Sequence, residues 1–154
     1  MKTTLEYVSY FQALATKATF IDHFYYTHDE FKENSDEAEN TVMVLEPYEN
    51  PISENQNDNA LASRRGMFII IKPYDSDLGR EYATVADACE KLCYKVMGQM
   101  KRDSRAGTIT LDIINWSGEE VAPIVGGWTG YAINFTYEES INSLMAFDAG
   151  DWTE

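Results

Sequence analysis

Residues able to do chemistry are scattered along this chain rather than grouped. Asp75-Ser-Asp77-Leu-Gly79-Arg-Glu81 opens like a calcium loop. An EF-hand needs a third oxygen ligand where Gly79 stands and its glycine one place later, so the run reads as a turn ahead of a helix. His23 and His28 have no serine or cysteine partner at a spacing that would pair a nucleophile with a base. Cys89 and Cys93 are the only cysteines. They lie one helical turn apart, a poor geometry for a disulfide, and only the two histidines could complete a zinc site around them. Buried free thiols in a reducing compartment are the expected state. Glu119-Glu120 and Glu138-Glu139 are carboxylate pairs, but such pairs recur throughout so acidic a chain. Gly126-Gly127-Trp128-Thr129-Gly130 lacks the lysine and the following helix of a phosphate loop and reads as a hairpin turn. These patterns lead us to expect no catalytic residues, no metal and no cofactor.

Charge narrows the partners. The chain has 154 residues, with 12 Lys and Arg against 26 Asp and Glu, for a net charge of −14. Such an excess repels nucleic acid and acidic membranes, although simple solubility also accounts for it. No basic stripe with interleaved aromatics is present, so direct nucleic-acid binding is not expected. The start, Met1-Lys-Thr-Thr-Leu-Glu6, lacks the apolar core of a signal peptide. No run approaches the eighteen or so apolar residues of a membrane span. We therefore expect an intracellular protein without a membrane partner. Length and a 44% hydrophobic content suit one domain that folds without a metal or disulfide staple.

The elements that must position these residues follow from hydrophobic period. Residues 4 to 17 predict a first helix, with Leu5, Val8, Phe11 and Leu14 as its stripe, widened by Tyr7 and Ala15. Phe20 to Tyr26 fits a strand or a helical turn equally. Residues 29 to 40 are acidic and expected to be solvated. Thr41 to Tyr48 alternates as a strand, with Val42, Val44 and Glu46 on one face. Residues 49 to 66 offer almost nothing to bury and predict a long mobile loop, closed by Arg64-Arg65. Residues 65 to 74, with the run Met67-Phe-Ile-Ile-Ile71, predict a central strand covered on both faces.

A long helix is expected from Thr84 to Asp103, started by a capping-box-like Thr84 and Asp87. Its stripe is Tyr82, Val85, Ala86, Cys89, Leu92, Cys93, Val96, Met97 and Met100. Three strands then form a meander: 108 to 116, 119 to 125 and 128 to 138. Ser117-Gly118 and Gly126-Gly127 are its turns, and Pro123 marks an edge or a bulge. Residues 141 to 154, with Leu144, Met145, Phe147 and Trp152, are expected to dock as a tail. The fold class is thus α+β: a mainly antiparallel five-stranded sheet, one long helix packed on it, and an additional N-terminal helix, all in one domain.

This order of elements resembles the tail-terminator and tail-completion proteins of tailed bacteriophages and prophages. Phe68-Ile-Ile-Ile-Lys-Pro73, Met100-Lys-Arg-Asp103, Gly127-Trp128, Tyr131-Ala-Ile-Asn-Phe135 and Asp151-Trp152 are similar to local features of prophage structural proteins. The resemblance implies a ring-forming head–tail connector subunit, a hexamer, with no active site. Its partners would be the tail tube and head-closure proteins, in the virion and in the host cytoplasm during assembly. DNA would pass through the bore without specific binding, helped by like-charge repulsion. Asn57, Arg64, Arg65, Trp116 and Trp128 are the expected interaction residues, with the two arginines meeting the acidic 29 to 40 stretch of a neighbour. Two other readings stay open. One is a small acidic DNA mimic that inhibits a nuclease or restriction enzyme. The other is a ligand-binding domain with an aromatic pocket of Tyr25, Tyr26, Trp116 and Trp128.

Overall fold

The computed structural model describes residues 3–55, 59–74, 81–107, 112–124 and 127–145. The fold is α+β, with three helices among the described residues and a mixed, mostly antiparallel sheet. The elements run α1 (Thr4–Lys17), β1 (His23–Tyr26), α2 (His28–Asn34), β2 (Val42–Glu49), β3 (Ile52–Asn55), β4 (Asn59–Pro73), α3 (Glu81–Arg105), β5 (Asp112–Ile124) and β6 (Trp128–Ser140). A 3-10 turn, Asn142–Leu144, follows. Strands lie in the order β1-β2-β4-β6-β5, and β3 pairs with the first part of β4. Only β1 and β2 are parallel to each other among these pairs.

The long helix packs on the sheet as expected. In α3 the buried positions Ala86, Cys89, Cys93, Val96 and Met100 alternate three and four residues apart, one stripe of a 3.6-residue period. The helix already includes Glu81, so Thr84 sits inside it rather than capping it, and Asp87 instead pairs with Lys91 one turn on, at 2.6 Å. On the same sheet face, α1 buries Tyr7, Phe11, Leu14 and Ala15. Thr3 caps it, accepting from the Glu6 amide at 3.2 Å. Leu5 is 76% exposed and leaves the expected stripe, because it lies two residues, or about 200° of rotation, from Tyr7. Tyr7 donates to the Glu46 carbonyl at 3.2 Å. Gly66 makes that possible, since a Cβ there would stand 2.7 Å from the Tyr7 hydroxyl and 2.5 Å from the Phe135 ring.

Four expectations are corrected. Residues 29 to 40 are not merely solvated: α2 forms there, and Phe31 and Ala38 are buried against Val42, Val44 and Trp128 on the sheet face opposite α1 and α3. Thr27 caps α2 by accepting from Glu30 N–H, while the Glu30 carboxylate accepts from Tyr26 N–H at 2.6 Å. Residues 42 to 45 are consequently buried on both faces rather than one.

The 49 to 66 segment is not one long loop. β3 and the start of β4 form a hairpin, with Ile52 opposite Ala62 and Asn55 opposite Asn59. Residues 56 to 58 lie outside the described residues. Little apolar area is needed, because β4 is also paired on its other side with β6, from Leu61 opposite Ser140 onward. The three-strand meander is in fact a hairpin of two long strands. Ser117 and Gly118 continue β5, opposite Asn134 and Ile133. The Tyr131 ring fills the space a side chain at 118 would need, its Cε1 being 2.6 Å from that Cβ position. Register shifts between Ile113 and Asn115 and between Val121 and Ile124 absorb the irregularity, the second at Pro123. Finally, Ile141 is buried but Leu144 and Met145 are each 55% exposed, so the expected tail docks only through Ile141 within the described residues. Phe147 and Trp152 lie outside them, as do residues 108 to 111 of the expected first meander strand.

Candidate interaction surfaces

The two sheet faces differ. Helices α1 and α3 cover one, over Met43, Leu45, Phe68, Ile70, Ile133 and Phe135. On the other, among the described residues, α2 covers only the end near Trp128. Beyond it the residues turn polar in two transverse rows set by register: Glu46, Met67, Asn134 and Ser117, then Arg65, Thr136 and Asn115. These rows line an open concavity of about 350 Å³, rimmed by Pro47 and Glu49. Arg65 Nη1 lies 3.6 Å from Glu49 Oε2, and both side chains are exposed. Asn134 donates to Glu119 Oε1 at 3.2 Å. This surface offers amides, hydroxyls, the carboxylates of Glu46 and Glu49 and the Arg65 cation for recognition. Among the described residues, no three His, Cys, Asp or Glu side chains are grouped to hold a metal ion. Asp75 to Arg80 of the calcium-like run lies outside them.

The expected interaction residues separate. Neighbours on a strand point to opposite faces, so Arg65 reaches the concavity and Arg64 does not. Arg64 is 2% exposed, with its guanidinium carbon 4.6 Å above the Tyr48 ring. Tyr137 is fully buried beside it. Burial pushes that phenol up to about 12, against the pull of Arg64, while Glu139 adds to the rise. A residue held in this way cannot also meet the acidic stretch of a neighbouring copy. Trp128 is buried, edge-on to Phe31 at 5.4 Å. Trp116 is half-buried against Phe135 at 5.8 Å. Asn57 lies outside the described residues.

The proposed aromatic pocket does not form. Tyr25 and Trp128 pack on the α2 face, whereas Tyr26 and Trp116 pack on the α1 and α3 face, with the sheet between them. His23 stacks on Tyr25 at 6.3 Å, and His28 sits edge-on to Phe31 at 6.4 Å. Both histidines serve aromatic packing at the ends of β1 and α2.

Both cysteines are buried free thiols. Cys93 Sγ donates to the Tyr131 carbonyl at 3.4 Å. Burial pushes Cys89 up to about 11 and Cys93 further, against the reactivity a thiolate would need. An exposed pair escaped sequence reasoning: Tyr94, 52% exposed, donates to Glu90 one turn earlier on α3. Its spacing of four on a helix was the available signal. Among the described residues, no helix is long and apolar enough to cross a membrane. Compared with known proteins, the chain matches no family model and no curated protein.

Proposed function

We propose that the chain is a non-enzymatic structural protein that assembles with copies of itself, as a ring-forming tail-terminator or head–tail connector subunit of a tailed phage. The observation that carries this reading is the polar part of the sheet face that no described helix covers, bordered by the 13-residue edge strand β5. A face lined by Arg65, Asn115, Asn134 and Thr136 suits a wet contact with another protein surface, where hydrogen bonds set orientation. An edge strand presents unpaired backbone groups along its length. The resemblance in element order supports the phage assignment, and the charge of −14 suits a ring through which DNA slides without sticking. In this reading Arg65 takes the contact role expected of both arginines.

The test is co-expression with a tail-tube protein, followed by electron microscopy of the tube ends. Wild type is expected as a closed ring at one end. Arg65→Glu combined with Asn134→Arg is expected to fold normally and to leave the ends bare. Rings of unchanged occupancy in that variant would remove the concavity from the interface. Mature tails lacking this protein altogether would remove the phage role. One observation favours the DNA-mimic reading: Asp29, Glu30, Glu33, Asp36, Glu37 and Glu39 are all exposed around α2. Stoichiometric inhibition of a nuclease, lost on neutralising those six residues, would decide for it.

A further inference from the structure

Between the C-terminal end of α1 and the middle of α3 lies a second concavity, of about 290 Å³. Leu14, Val96 and Phe20 form its apolar wall, and Lys17 and Lys95 stand at its rim. Lys95 Nζ is 5.3 Å from the centre of the Phe20 ring. Both lysines are exposed, and among the described residues neither meets a carboxylate. In a chain with 26 acids and 12 cations, an apolar hollow rimmed by two such lysines calls for a ligand that is both aromatic and acidic.

We infer that this groove receives residues 147–152 of a second copy of the chain. The inference rests on the self-assembly reading above and names one of its contacts. The segment is Phe147-Asp-Ala-Gly-Asp-Trp152, two large aromatics with a carboxylate beside each. Aromatic burial on Leu14, Val96 and Phe20 would supply cohesion, and Asp148 and Asp151 would match Lys17 and Lys95.

Register and chain length weigh against the segment of the same chain. The described chain ends at Met145, held at the start of β4: Ile141 N–H donates to the Ala60 carbonyl at 3.0 Å, and Ala60 N–H donates to Asn142 Oδ1 at 2.7 Å. The Phe20 wall of the groove lies toward the other end of the sheet. Phe20 precedes β1, where His23 is opposite Val42 and Val42 is opposite Ile71. Ala60 and Ile71 are eleven residues apart on β4, about 36 Å at 3.3 Å per residue. Trp152 is seven residues beyond Met145 and reaches at most about 25 Å.

The test uses a fluorescent peptide of residues 145–154 titrated with the full chain, beside sedimentation of the full chain alone. Binding is expected, and it should weaken about tenfold or more when Lys17→Glu and Lys95→Glu are combined, with the Tm unchanged. A peptide carrying Asp148→Lys and Asp151→Lys should fail on wild type and bind the lysine-reversed chain. In sedimentation, each charge-reversed chain should shift toward monomer, and an equimolar mixture of the two should recover association. Peptide binding insensitive to the lysine changes, no binding at millimolar peptide, or a lysine-dependent contact within monomers would each overturn the inference. Rings that still form from the lysine-reversed chain would overturn it while leaving the assembly reading intact. Lysine-dependent association of a protein never found on tails would keep the groove contact and overturn the phage role.

Discussion

Gly130 shows how little room single positions leave. A Cβ there would stand 1.9 Å from the Ile70 carbonyl oxygen and 2.8 Å from the Ile71 Cα, both backbone atoms of the neighbouring strand that cannot step aside. Gly130→Ala should therefore cost about 3 kcal/mol or more, read as a lower urea midpoint. Gly98, inside α3, has nothing within 4 Å of its Cβ position, so Gly98→Ala should stabilise by up to about 1 kcal/mol through helix propensity. Equal effects of the two would contradict the packing described. Arg64 and Arg65 form a similar contrast. Arg64→Glu places a carboxylate among Tyr48, Tyr137 and Glu139 and should abolish cooperative folding, because an uncompensated buried charge costs roughly 3–5 kcal/mol. Arg65→Glu removes only an exposed pair with Glu49 and should change stability by less than about 1 kcal/mol. Circular dichroism melts of both variants decide this. The opposite placement of the two arginines was legible in principle, since alternation follows once the segment is known to be a strand. It was hidden because residues 49 to 66, rich in Asn and Ser, carry no apolar alternation to reveal one.

Elements with a periodic apolar pattern were legible, and those held by backbone pairing or a single anchor were not. The stripe of α3 and the alternation Tyr131, Ile133, Phe135, Tyr137 on β6 are written directly in the sequence, and both pack where the period puts them. β3 has no such pattern and exists because β4 offers it a partner edge. β5 passes through Ser117-Gly118 because the flanking register holds on both sides and Tyr131 covers the glycine. α2 carries three exposed acids, Asp29, Glu30 and Glu33, around one anchor, Phe31. Its start was marked by Thr27 and Glu30, three residues apart, a capping pair that the acidic composition masked. The candidate concavity was illegible for a different reason: it is built from four strands, and only their register brings Arg65, Asn115 and Asn134 together. Phe31→Ala should cost about 3–5 kcal/mol if α2 is integral to the second core, since Phe31 is fully buried against Val42, Val44 and Trp128. Trp128 fluorescence should shift to the red at the same time. A variant with a wild-type melt and spectrum would show α2 to be only loosely attached.

At the scale of the whole molecule, two titrations have a defined sign. Thiols ordinarily ionise near 9.0, but in the folded chain burial holds Cys89 protonated to about 11 and Cys93 beyond that. From pH 9 upward the unfolded chain releases protons that the folded chain keeps, so stability falls with rising pH and is unaffected by these groups below pH 9. Melts at pH 8 and pH 10.5 should show the fall, and Cys93→Ala should flatten it at a constant offset. An unchanged slope would mean that the buried tyrosines alone carry the alkaline loss. Salt tests the charge of −14 in the same way. The ion pairs Lys32–Asp29, Arg65–Glu49 and Lys91–Asp87 are all exposed, so screening them costs little. Repulsion among the excess acids is summed over the whole surface and favours expansion. Raising sodium chloride from 0.05 to 0.5 M shortens the Debye length from roughly 14 Å to roughly 4 Å, which removes most of that repulsion. The repulsive sum should win, and the Tm should rise by about 3–6 °C, equivalent to roughly 1–2 kcal/mol for a chain of this size. Neutralising Asp29, Glu33, Asp36 and Glu37 together should reproduce most of the rise at low salt and leave little for salt to add. A Tm that falls with salt would mean that attractive pairs, not net charge, dominate the electrostatics of the folded state.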